Sequence, residues 1–189
     1  MLKYILNFLS LIILLSFLSC GNNKNEGTTN SPKNIDRNNF RWSESLSKDN
    51  LPDFPVKGFI NGKEVKIIYI NFENWRGSGD NVLNFSTGSP TQRCGFVEND
   101  SAFHLTKLSG EFSKGIFLKE TFDKSVDGYI ADFHTFGEDG PKKISVPWNC
   151  ALDITEINDK IVKGKIAICF KDEKKSWVAG SFEATVCNN

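Results

Sequence analysis

The chain is constrained most tightly at its C-terminal end, where apolar and polar residues alternate through three successive runs. In Cys150–Ile157, Leu152 and Ile154 alternate with Asp153 and Thr155. In Ile161–Phe170, Ile166, Ile168 and Phe170 share one face. In Trp177–Cys187, Phe182, Ala184 and Val186 oppose Ser181, Glu183 and Thr185. A period of two is that of a half-buried strand, because successive side chains leave a strand on opposite faces. Polar turns at 158–160 and 171–176 separate the runs. Together they predict a three-stranded antiparallel meander with one wet face.

Upstream segments repeat the theme. Val56–Ile60 and Lys63–Ile70 flank Asn61-Gly62, the strongest short hairpin signal, since both turn positions require positive φ. Asn81–Thr87, Gly115–Glu120 and Gly128–Phe136 read as further strands, the last closed by Gly137–Pro141. Asp100–Ser109 fits either a short helix or a strand. No segment keeps a long helical period. Sixteen phenylalanines against one methionine favour rigid aromatic packing in sheets. The expected class is all-β, an antiparallel β-sandwich or small barrel.

The other end is built differently. Lys3 precedes an apolar run from Ile5 to Leu18, followed by Ser19 and Cys20, which is the order of a secretory signal. The run is short for a membrane span, which needs about 20 apolar residues. Phe17-Leu18-Ser19-Cys20 resembles a lipobox, with Phe17 where leucine is usual. Gly21–Asn50 is rich in asparagine, serine and lysine and poor in apolar residues, so it reads as a disordered tether of about 30 residues spanning roughly 30 Å. Trp42 stands out there and is expected to pack back onto the domain edge. This divides the chain into a signal peptide (1–19), a lipidated cysteine with tether (20–50) and one β-rich domain (51–189). The lipobox, the tether and the run from Val178 to Cys187 are similar to small spirochaete-type envelope lipoproteins of unknown function. The resemblance implies acyl chains (palmitate or similar) on Cys20, which anchor the protein to a membrane. Gly21, in place of a retention aspartate, favours the outer membrane, with surface exposure open.

Four cysteines remain after Cys20: Cys94, Cys150, Cys169 and Cys187. An even number in an exported chain argues for two disulfides. Cys150 shares a face with Leu152 and Ile154 and should point inward. Cys169 and Cys187 lie opposite Phe170 and Val186 and should point outward. Keeping the apolar faces aligned puts Cys150 opposite Ile168, which disfavours Cys150–Cys169. The favoured pairing is Cys94–Cys150 with Cys169–Cys187, although the latter is awkward if Cys187 pairs near Lys160.

Little else declares chemistry. Basic and acidic residues balance at 23 each, so no global field would draw the chain to nucleic acid. Neither His104 nor His134 sits in a nucleophile motif. Asp132 and His134 would share one strand face, as a metal or acid–base pair would, though an ordinary surface histidine is the commoner occupant. Trp75–Asp80 lacks the lysine of a phosphate-binding loop and reads as a hairpin turn. Lys171–Lys175 reads as a solvated loop. No cofactor or metal motif stands out. The expected function is therefore non-enzymatic: an anchored β domain that binds a protein or a host or environmental ligand. The alternatives are a periplasmic structural or hydrolase-inhibitor module, and a carrier of a small apolar ligand.

Overall fold

The computed structural model describes residues 39–75, 77–94, 97 and 102–188. It is an all-β fold. The strands are β1 (Lys57–Ile60), β2 (Lys63–Lys66), β3 (Tyr69–Trp75), β4 (Asp80–Ser86), β5 (Ala102–Lys107), β6 (Gly115–Lys119), β7 (Tyr129–Gly137), β8 (Gly140–Ile144), β9 (Trp148–Ile157), β10 (Ile161–Phe170) and β11 (Trp177–Asn188). They form one curled sheet, a half-barrel, in the order β6-β9-β10-β11-β3-β4-β5-β7-β8, with the β1–β2 hairpin paired to β11.

The hairpin signals hold at the level of dihedrals. Asn61 and Gly62 have φ of 54° and 82°, and the turn sets Ile60 opposite Lys63. Lys63–Ile70 is not one strand, however. The chain breaks at Ile67 and Ile68, leaves β1, and begins β3, which pairs with β4. The meander β9-β10-β11 forms as its alternation predicts, and Cys150 lies opposite Ile168.

β11 is long enough to serve two partners along one edge. Its first residues pair with β1 and its last, Thr185–Asn188, run parallel to β3. This β11–β3 ladder is the parallel exception among the described, otherwise antiparallel, strand pairs. Between the two partners, Ser181 exchanges backbone bonds with Phe54 and Val56 at 2.8 and 3.1 Å. The crossing is close: Gly180 has φ of +137°, and a Cβ there would lie 2.4 Å from Val56 Cα.

The inner face of the sheet is filled by its own side chains. Phe85 packs on Phe182, and Phe103, Phe133 and Phe170 pack on one another, with centroids 4.9–5.9 Å apart. These four phenylalanines, Phe85, Phe103, Phe133 and Phe170, are at most 1–2% exposed. Full burial of each contributes on the order of 2–3 kcal/mol.

The outer face of the meander is wet at one end only, where Thr155 and Glu183 are exposed and Lys163 pairs with Glu183 at 3.0 Å; at the other end it is covered. Register sets Ala167 between Ala151 and Ala179, which leaves a shallow trough across three strands. The segment before β1 fills it. Leu46 and Leu51 are buried there with Phe122, Trp177 and Cys169. Trp42 stacks on Phe122 and donates its indole N–H to the Phe170 carbonyl at 2.7 Å. Leu46 N–H bonds the Glu120 carbonyl at 2.8 Å, just beyond β6. Packing thus reaches back to Phe40, and residues 40–50 belong to the domain rather than to a tether. A capping box between Ser47 and Asn50 fixes the 3-10 turn at Lys48–Asn50.

The disulfide expectation also changes. Cys94 bonds Cys187, across 93 residues, and Cys150 and Cys169 are free. Cys94, on the β4–β5 loop, meets Cys187 where the end of β11 runs parallel to β3. Tyr69 there donates its hydroxyl to the Arg93 carbonyl at 2.7 Å. Cys150 and Cys169 point to opposite faces of the sheet, and each is fully buried. Burial pushes the Cys169 thiol up to about 12 and the Cys150 thiol well above its ordinary value. Neither is poised as a thiolate.

Candidate functional site

On the other half of the sheet the outer face stays open. The alternation that sends Leu83, Phe85, Phe103, Leu105, Ala131 and Phe133 inward sends Val82, Asn84, His104, Thr106, Ile130, Asp132 and His134 outward. These outward residues line a groove of about 220 Å³ on β4, β5, β7 and β8, flanked by Trp75, Leu108 and Ile130. Those three flanking side chains are 41–47% exposed.

Strand register builds the polar centre. His104 on β5 lies opposite Asp132 on β7, and His134 lies opposite Lys143 on β8. His104 Nδ1 is 3.0 Å from Asp132 Oδ1, and Lys143 Nζ is 2.9 Å from Oδ2. The two imidazoles meet edge to face with centroids 4.8 Å apart. One donor atom from each of His104, Asp132 and His134 lies within 4.8 Å of the others. Two residues two apart on one strand plus a cross-strand neighbour make a compact triangle on one face.

Asp132 is only 5% exposed. Burial pushes its carboxyl up, but the hydrogen bonds and charges of His104 and Lys143 outweigh this and hold it below the usual carboxylate range. Asp132 is therefore an anion at neutral pH, with each oxygen engaged by a different side chain.

Further polar contacts lie toward the far edge of the face. Asn84 donates to Asn71 Oδ1 at 2.8 Å, Asn71 donates to Glu73 at 2.7 Å, and the Trp75 indole donates to Glu73 at 2.9 Å. Asn71 is itself buried. The ladder runs across β3 and β4 to the edge of the groove.

A second cleft, of about 390 Å³, lies beside Lys119, Phe122, Tyr129 and Trp148. Lys119 is 6% exposed, and its ammonium donates to the Thr121 and Phe122 carbonyls at 2.9 Å each. Burial pulls its pKa below the ordinary lysine value. Its bonds close the turn after β6, so its role is structural.

Of the residues singled out in the sequence, Asp132 and His134 do share a strand face, and the structure adds His104 and Lys143 to them. Cys94 and Cys187 are brought together; Cys150 and Cys169 are not. Cys20 lies outside the described residues. Among the described residues no helix is long and apolar enough to cross a membrane. Compared with family models, curated proteins and solved structures, the chain matches none.

Proposed function

We propose that the chain is an exported lipoprotein, held to a membrane through lipid on Cys20, whose β domain binds a protein or a host or environmental ligand without turning it over. One observation carries the reading: residues 40–54 cover the apolar end of the meander's outer face, while the outer face of β4, β5 and β7 is left open and set with polar groups beside exposed Trp75, Leu108 and Ile130. Exposed apolar residues around a polar centre are the usual make-up of a binding patch. The Cys94–Cys187 disulfide supports export, because such bonds persist in oxidising compartments. The packed phenylalanine interior gives no support to an apolar-ligand carrier.

Expression of the full chain with labelled fatty acid tests the anchor. Label on the wild type and none on Cys20→Ser is the expected result; equal labelling of both would remove the lipid anchor from the account. Protease treatment of intact and lysed cells then distinguishes a surface domain, digested in both, from a periplasmic one, digested only after lysis. Surface exposure directs the binding screen to host and environmental ligands. Protection directs it to envelope proteins, with inhibition of envelope hydrolases as the first assay.

A further inference from the structure

We propose that His104, Asp132 and His134 form a binding site for a divalent transition cation of the zinc class. This goes beyond the binding role above and requires neither the anchor nor a partner.

An ion pair between His104 and Asp132 would need only those two side chains. The structure places a third donor, His134, on the same spot, with all three donor atoms within 4.8 Å of one another. Around a four-coordinate zinc with bonds of about 2.0–2.1 Å, ligand atoms lie roughly 3.3 Å apart. The 3.0 Å separation of His104 Nδ1 and Asp132 Oδ1 is already at that spacing. Small χ rotations would bring His134 in. His134 is half-buried and borders the groove, and it lies on the rigid interior of β7 rather than on a loop.

The surroundings suit a ligand triad. Lys143 bonds Asp132 Oδ2 and leaves Oδ1 on His104. Carboxylates that bind metals are commonly held in this way by an outer hydrogen bond. Two imidazoles and one carboxylate suit borderline cations such as zinc better than calcium or magnesium, which take oxygen. Three protein ligands on an open face leave at least one coordination position toward the groove, for water or for a donor group of a bound molecule. The ammonium of Lys143 opposes a second cation nearby, so the site is one for reversible capture rather than a permanent structural centre.

The test is zinc titration of the untagged full chain in detergent, read by calorimetry and by the ring resonances of its two histidines. Because the chain has only His104 and His134, the signals lost in His134→Ala assign both rings. Saturable binding that moves both rings, and that weakens by more than about tenfold in His134→Ala with the melting temperature retained, is expected. His134→Ala carries the test because its side chain is half-buried and can be removed without breaking the Asp132–Lys143 pair. Absence of binding, binding that leaves either ring unmoved, or equal affinity in His134→Ala overturns the site; the last would place zinc elsewhere on the chain.

Discussion

The two halves of the outer face begin from the same strand alternation and end in opposite states. At the covered end of β9, β10 and β11 the outward positions are Ala151, Ala167, Cys169 and Ala179, small enough for the backbone of residues 40–54 to lie across them. On β4, β5 and β7 they are Asn84, His104, Thr106, Asp132 and His134, polar groups that line the groove, with His104 bonded to Asp132 and Asn84 to Asn71. Small apolar residues invite a cover, because without one the trough would leave apolar surface in water. A polar ladder needs no cover and would lose its water if it gained one. The covered half therefore serves stability, and the open half is available for binding.

This contrast can be broken most severely at the link that joins its parts. The Cys94–Cys187 bond closes a loop between residues 93 positions apart. Its removal in Cys94→Ser/Cys187→Ser is expected to lower stability by about 3–5 kcal/mol, read by denaturant unfolding. Next comes the cover. Leu46→Ala empties a site that is 1% exposed and should cost about 2–4 kcal/mol, with faster hydrogen exchange on the outer side of β10. If Leu46→Ala were neutral, residues 40–50 would be a passive tether after all.

The open half should respond to pH rather than to packing. The Asp132 carboxyl is held below its ordinary value in the fold, so its stabilisation is complete above the ordinary carboxylate range. That stabilisation is lost as pH falls through the folded value. Asp132→Asn should cost about 1–2 kcal/mol at neutral pH, discounted because Lys143 is more than half exposed. The difference from wild type should shrink on acidification; a difference that persists unchanged at low pH would remove the ion pair as its cause. The smallest expected effect concerns Cys150 and Cys169. Both should resist alkylation at mild alkaline pH in the folded chain and react once it is unfolded, as their raised pKa values require. Prompt alkylation of either would show that the trough or the core opens.

The sequence discloses the meander because Leu152, Ile154, Ile166, Ile168 and Phe182 alternate cleanly, and it discloses the first hairpin because Asn61-Gly62 permits few other conformations. It hides β8, since Gly-Pro-Lys-Lys-Ile carries no alternation and Pro141 suits only an edge strand. It hides the cover as well. Trp42 alone signals its packing; Phe40, Leu46 and Leu51 are too widely spaced among polar residues to signal burial, and the trough that receives them exists only once three strands are paired. The wet-face expectation holds at Thr155 and Glu183 and fails only at the end built from Ala151, Ala167 and Ala179, because alanine on a strand face signals neither burial nor exposure. The disulfide partner of Cys94 depends on β11 lying parallel to β3, which no local pattern encodes. Half the candidate site is legible: Asp132 and His134 sit two apart in a strand. The other half is not, because His104 arrives through the β5–β7 pairing and Lys143 through the hidden β8.

The account's central claim is that the open face is organised around His104, Asp132 and His134. Crystals of the protein grown with zinc, with anomalous scattering recorded on either side of its absorption edge, test it most directly. The expected result is a peak enclosed by the three side chains, with bonds of about 2.0–2.2 Å and Lys143 still on Asp132 Oδ2. A saturating soak that leaves no peak there, with the His104–Asp132 hydrogen bond intact, would contradict it.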